Sequence, residues 1–416
     1  MTTGVESAEP PSAGASQDTS SRSTHLIAAA AGITSASFNI WWPFLPLYAL
    51  ELGARSDADA VSWVALAITM QGVGRLASSA IWGILSDRWG RKLMLLRALY
   101  LASIAFGFAA LAQEPWHLSI ALFCQGFFSG FVPASVALVS VIVPDHKLNK
   151  SLSTVAGIQY LGTTTGPAVG ALLAIFLDFR TTIIVAALVP LVAATAVLLW
   201  VPRDRVTRRE PAEPGGTAQL EPFKVTTQFA LAVGALFVIQ CINELVRLLT
   251  PVALKAIENT PDVTGEVGIT FSLGGLVSGL GVLFVAPRIF KPGRVRWVLG
   301  GACLVGAIGA SILAIAASVP PYVAGFLLFA FVISSMVPAM NTLIASSVTR
   351  SRRGTGFGVA ATVQAFSFVI GPGSAALFAS VSLDLGFAVV AAVFVALGVT
   401  LAAAVREQDE QVPSNR

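Results

Sequence analysis

The sequence predicts an all-α membrane protein of twelve transmembrane helices arranged as two pseudo-symmetric six-helix bundles. Three observations predict it: an apolar composition, basic loops confined to one side, and an internal repeat. Of 416 residues, 55% are hydrophobic and only 12% charged, about half the ~25% charged content of a soluble domain. Mean hydropathy is +0.78, and apolar runs of about 20 residues, enough to cross a bilayer, fill most of the chain.

Residues 1–24 are rich in Ser, Thr, Gly, Ala and acids, without the apolar core of a signal sequence, and read as a disordered cytoplasmic tail. Six spans follow at approximately 25–52, 61–86, 93–112, 118–143, 151–177 and 181–201, forming a first bundle over 25–201. Residues 202–225, with Arg208-Arg209-Glu210-Pro211 and Glu213-Pro214-Gly215-Gly216, have the composition of a linker. The second bundle, 226–405, holds spans at 226–256, 265–290, 297–319, 321–348, 354–381 and 383–405, and 406–416 is a second cytoplasmic tail.

The even-numbered loops carry seventeen Lys and Arg and the odd-numbered loops only three, Arg55, Arg180 and Lys255. Basic loops stay in the cytoplasm, so both termini are expected there, in a multi-pass plasma-membrane protein. A net charge of +4 in such loops belongs to orientation rather than to nucleic-acid binding. A shift of 205 residues aligns Pro46 with Pro251, Pro133 with Pro338, Gln159 with Gln364, and Gly166-Pro167 with Gly371-Pro372. Parallel repeats of this kind build transporters with the substrate site between halves.

Few groups carry chemistry. Cys124, Cys241 and Cys303 lie in apolar segments without metal or disulfide spacing. His25, His117 and His146 sit at span ends without nucleophile or metal partners. No cofactor, metal or nucleotide-binding loop is indicated, which points away from an enzyme and toward a transporter driven by an ion gradient. Its partners are then a small-molecule substrate, protons and the bilayer, with the chain acting as a monomer. A membrane sensor or scaffold would call for a sizeable soluble domain, and none is evident.

Glu244 is the one deep acid. Gln240, Asn243, Glu244 and Arg247 fall at i, i+3, i+4 and i+7, a polar stripe along one face of span seven. Such a stripe faces a bundle interior or water-filled cavity. Proton coupling by Glu244 and Arg247 competes with a purely structural ion pair between them. Asn39 and Trp42 are their counterparts in span one, with Trp41 and Phe44 nearby. Amide and aromatic groups suit a lipophilic substrate, including one with a cation over a ring face; a lipid-facing position for the tryptophans is the alternative. Arg75 lies twelve residues before Asp87, about 18 Å along a helix, and calls for a partner, either Glu244 or an anionic substrate group. Gln125, Gln159, Asn341 and Gln364 are further polar groups within spans, as suited to interhelical hydrogen bonds as to ligands.

The turn between spans two and three reads Gly83-Ile84-Leu85-Ser86-Asp87-Arg88-Trp89-Gly90-Arg91-Lys92-Leu93-Met94-Leu95. It resembles the signature of the major facilitator superfamily, Gly-x-Leu-x-Asp-Arg-x-Gly-Arg-Lys-x-x-Leu, matched at Gly83, Leu85, Asp87, Arg88, Gly90, Arg91, Lys92 and Leu95. Span five, with Gly162, Gly166, Pro167 and Gly170, resembles the antiporter motif of export members, although its last glycine is Ala171 and an earlier one is Ser153. Span four keeps Gln125-Gly126 of the antiporters' Arg-x-x-Gln-Gly and lacks the arginine. The resemblance implies the major facilitator fold and a drug:proton antiporter of the multidrug-efflux branch, exporting amphipathic drugs or metabolites by alternating access. The alternative is a proton-coupled or facilitative uptake transporter for a sugar or organic acid. The resemblance also implies that Asp87 latches against the start of span eleven, where a carboxylate gains from the helix dipole, with Arg91 and Arg97 holding it in place; protonation or displacement of Asp87 is expected to loosen the outward-facing state, which adds it to Glu244 and Arg247 in proton coupling.

Overall fold

The computed structural model describes residues 13–202, 225–260, 262–290, 294–348 and 353–405, apart from a few helical side chains that include those of Gly83, Asp87 and Arg88. The expected linker and C-terminal tail fall almost wholly outside these residues.

Every regular element among them is helical. The first half holds α1 (Ala13–Ile40), a 3-10 turn (Trp42–Phe44), α2 (Leu45–Glu51), α3 (Asp57–Trp89), α4 (Arg91–Ala110), α5 (Pro115–Phe128), α6 (Phe131–Ile142), α7 (Asp145–Phe176) and α8 (Phe179–Trp200). The second holds α9 (Thr227–Glu258), α10 (Thr264–Leu280), a π segment (Gly281–Val285), α11 (Ala286–Ile289), α12 (Val295–Ile315), α13 (Val319–Ser346), α14 (Arg353–Val381) and α15 (Leu383–Ala404).

Several spans differ from the sequence expectation. The α1 helix starts at Ala13, so much of the expected disordered tail is helical; after Gly14 its Ala, Ser and Gln residues run on with no further Gly or Pro before Gly32. Span one breaks at Pro43, and span four breaks at Ser129–Gly130, where Gly130 takes φ +120°. Proline lacks the N–H that would continue the ladder, and a positive φ is costly for any residue with a Cβ. The turn after span two is also tighter than expected. The α3 helix runs to Trp89 and α4 begins at Arg91, leaving Gly90 at φ +91° as the whole connection.

Among the described residues, nine helical segments are apolar and long enough to cross a membrane. The expected spans one, five and eight are helical as well; α10 is short, and α7 carries the polar run Thr163–Thr165. Large apolar side chains such as Val192, Leu199, Ile315 and Val399 lie on the outer surface, as a hydrocarbon solvent requires.

The repeat is visible in the packing. In the first half α1 lies against α7, α3 against α5 and α4 against α8; in the second, α9 lies against α14, α10 against α13 and α12 against α15. Each pair maps onto its counterpart by the 205-residue shift, down to single atoms. A Cβ added at Gly166 would stand 2.7 Å from the Asn39 Cβ and 2.5 Å from the Ala36 carbonyl oxygen. One added at Gly371 would stand 2.8 Å from both the Glu244 Cβ and the Cys241 carbonyl oxygen. The broadest contacts between the halves are α3 with α14 and α7 with α10, and the 3-10 turn, α2 and α3 also touch α9.

The antiporter-like motif has a packing role in this frame. A Cβ on Gly162 would collide with the Gly32 carbonyl oxygen, and one on Gly170 with that of Ile40. Glycines four residues apart thus let α7 seat directly on the α1 backbone. Ala171, where the motif has glycine, is matched across the halves by Gly268 of α10, whose own Cβ would strike that of Ala171. One methyl fills the space between the halves at this point. Gly268→Ala should therefore destabilise the protein by about 1–3 kcal/mol through overpacking, read as a lower melting temperature in detergent. Adding Ala171→Gly should recover most of the loss, whereas additive effects would refute the contact.

Candidate functional site

The first half encloses a cavity of about 990 Å³. It runs from Ser35 and Asn39 in α1, past Arg75, Ser78 and Trp82 in α3, to Arg91 near the start of α4 and Ser140 near the end of α6. That places its mouth on the side where α1 begins and α15 ends, the terminal side. The break in span four contributes Ser129, Gly130 and Pro133 to its wall.

On the opposite side the halves are tied by Lys255 Nζ, 2.6 Å from Asp57 Oδ1. This links the second half, near the end of α9, to the first, at the start of α3. Within the first half, Phe44 and Phe179 stack at 5.7 Å between ring centres. Lys255, one of three bases in the odd loops, is accounted for by this pair.

Glu244 is buried in α9 against Gly371 of α14, and its Oε2 has no hydrogen-bond partner. The only ion pair among the described residues is Asp57–Lys255, so the direct Glu244–Arg247 pair that the one-turn spacing allows is not formed. Arg247 instead reaches across the halves. Its Nη2 donates to Asn39 Oδ1 at 3.5 Å, and its guanidinium stands 5.7 Å from the Trp42 ring centre. Asn39 is held in turn by donating to the Ser35 carbonyl at 2.8 Å. Arg75 crosses in the other direction, its guanidinium 5.2 Å from the Phe368 ring of α14. The charges of Arg247 and Arg75 are the ones that reach Glu244. Arg247, Asn39 and Trp42 thus meet between the halves beside Glu244, with Arg75 reaching across from α3 to Phe368.

Other expected site residues are placed elsewhere. Gln125 is buried and accepts from Gln71 Nε2, tying α5 to α3 away from the cavity. Gln240, Asn243 and Asn341 are half-buried and absent from the cavity wall, and Gln159 is buried. Trp41, weighed as lipid-facing, is buried edge-on against Phe106 at 5.4 Å.

The bases of the turn brace the first half. Arg91 Nη1 donates to the Ala137 carbonyl and Ser140 Oγ of α6, each at 3.1 Å. Lys92, almost fully buried, donates to the Leu198 and Val201 carbonyls at the end of α8, where unsatisfied carbonyls and the helix dipole favour a cation. Arg97 lies 3.6 Å above the Trp82 ring and donates to the Ser129 carbonyl at 3.3 Å. The side chains of Asp87 and Arg88 lie outside the described residues, and with them the expected latch.

Trp82 was missed in the sequence. Arg75, Ser78 and Trp82 stand at i, i+3 and i+7 on one face of α3, a spacing that could have found it. The Trp42 face, expected to seat a substrate cation, already has the Arg247 guanidinium near it, and Arg75 on Phe368 and Arg97 on Trp82 are two further pairs of this kind.

The family model described as Major Facilitator Superfamily matches residues 27–372 and 236–416. Multidrug resistance protein MdtG of Proteus mirabilis is 28% identical over 349 residues, covering 82% of this chain and 85% of that protein. The multi-drug resistance efflux pump PmrA of Streptococcus pneumoniae is 32% identical over 172 residues, covering 41% of this chain and 43% of the pump. Among solved structures, a D-xylose-proton symporter shares the fold with a TM-score of 0.74 at 15% identity, covering 92% of this chain and 98% of that one.

The Asp57–Lys255 pair is partly exposed, so it contributes up to about 1 kcal/mol, or about five-fold in a conformational equilibrium. Asp57→Lys should lengthen spin-label distances between the halves on that side, and Asp57→Lys with Lys255→Asp should restore them. Unchanged distances in the single variant would contradict the tie.

Proposed function

The chain belongs to the major facilitator superfamily, and from that premise we propose that it exports amphipathic drugs or metabolites in exchange for protons. Export is favoured by multidrug-resistance relatives that extend over most of the chain. The observation that carries the coupling is Glu244: a carboxyl buried between the halves, with an oxygen lacking a donor and two arginines in reach of its field. In this reading the terminal side is cytoplasmic, the membrane is the plasma membrane and the chain works as a monomer.

The chemistry follows from charge balance. A neutral Glu244 leaves Arg247 free to hold Asn39 and Trp42 of the other half. A bare carboxylate in the same place costs several kcal/mol unless a cation moves to it. Release of the proton therefore draws Arg247 toward Glu244, one turn away, and off Asn39, which loosens a contact between halves. Proton occupancy and the relation of the halves are linked through one side chain. Each unit of pH difference supplies about 1.4 kcal/mol per proton, enough for about a ten-fold substrate gradient.

Asp87, Arg88 and the turn act as the gate in this proposal, and the Gly162–Gly170 packing keeps α7 rigid against α1 as the halves rock.

Transport into inside-out vesicles, with and without an imposed pH gradient, tests the reading against a panel of lipophilic cations, anions and neutral drugs. Glu244→Gln should abolish gradient-driven accumulation while leaving downhill movement; uphill transport by that variant would overturn the coupling role. Asp87→Asn should reduce transport several-fold with yield and melting temperature unchanged, and full activity would contradict the gate.

A further inference from the structure

Resting on the exporter reading, we propose that the cavity of the first half takes amphipathic anions, whose carboxylate, sulfonate or phosphonate head is held by Arg97 and Arg75. The wall of this cavity carries Arg75, Arg91 and Arg97, and no Asp or Glu among the described residues. Arg91 is engaged by Ala137 and Ser140. Arg97 is not comparably satisfied: its Nε and Nη1 are buried without a hydrogen-bond partner, and its one bond is the 3.3 Å contact to the Ser129 carbonyl. A guanidinium offers five donors in a planar fork that fits a two-oxygen anion. Buried donors left unmade are costly, so an anion that fills them gains what they lack.

The face of Trp82 fixes Arg97 from one side at 3.6 Å, and Trp82 is itself anchored by donating Nε1 to the Phe127 carbonyl at 2.7 Å. The fork is therefore held in place before any ligand arrives, which lowers the ordering cost of binding. Arg75 stands on the same α3 face as Trp82, about two turns deeper along the same cavity wall, with Ser78 between them. Beside the polar Ser35, Asn39 and Thr163, the wall carries Phe38, Met94, Phe131, Val132 and Pro133, which offer a surface for a hydrophobic body. A lipophilic cation would meet the same arginines as repulsive charges, and the aromatic seats are already covered by them.

Three fluorescent probes with one aromatic body separate these cases: dansyl-taurine, which bears a sulfonate, neutral dansylamide and cationic dansylcholine. Binding is measured by fluorescence anisotropy on the full-length purified protein in lipid nanodiscs, and transport in proteoliposomes with a pH gradient. Dansyl-taurine should bind at least about ten-fold more tightly than dansylcholine. Arg97→Gln should remove that preference, and Arg97→Lys, which keeps the charge but not the fork, should keep part of it. Melting temperatures of both variants establish that they are folded, and Arg75→Gln provides a second measurement should Arg97→Gln fail to fold. Tighter binding of the cation, or an anion affinity unaltered in folded Arg97→Gln and Arg75→Gln, overturns the proposal. Gradient-driven transport of dansylcholine alone would overturn it while leaving the exporter reading intact. Anion binding that depends on Arg97 without proton-driven transport of any probe would uphold the anion site and sink the exporter reading.

Discussion

A single carboxyl buried between two bundles sets the terms for the rest of this molecule. Glu244 lies where water is scarce, one oxygen without a donor, while Arg247 and Arg75 spend their charges on groups of the opposite half. An ion in such a place is expensive unless matched, and a neutral group is not. In the proposed mechanism the proton on Glu244 decides which contacts Arg247 makes, and the contact Arg247 makes to Asn39 bridges the halves.

That arrangement needs rigid neighbours, and the backbone supplies them. Gly162, Gly166 and Gly170 bring α7 onto α1, and Gly371 brings α14 onto α9 at Glu244 itself. The same 205-residue step relates Gly166 with Asn39 to Gly371 with Glu244. Two copies of one helix pair therefore present different side chains at equivalent points, an amide in one half and an acid in the other. Duplication built the scaffold, and divergence at residues 39 and 244 made the site asymmetric.

Much of this was legible in the sequence, because hydrocarbon imposes simple rules. Span length, basic loops and the repeat fixed the class, and the i, i+3, i+4, i+7 stripe located Glu244 and Arg247. What stayed hidden depends on three-dimensional partners. The ion pair suggested by one-turn spacing is replaced by a cross-half bond to Asn39, which no local pattern reports. Gln125 is spent on Gln71, fifty-four residues earlier. The break at Gly130 and the helical start at Ala13 concern backbone geometry that hydropathy does not register. Arg97 was legible as part of a motif, but its seat on Trp82 requires the fold of span four beside α3 and α4.

The most direct test of the central claim is the infrared difference spectrum of the purified protein between acidic and alkaline buffer. A proton carried by Glu244 predicts a carboxylic-acid C=O band from a buried group that vanishes on alkalinisation and is missing from Glu244→Gln. A spectrum identical in the two proteins would contradict the account.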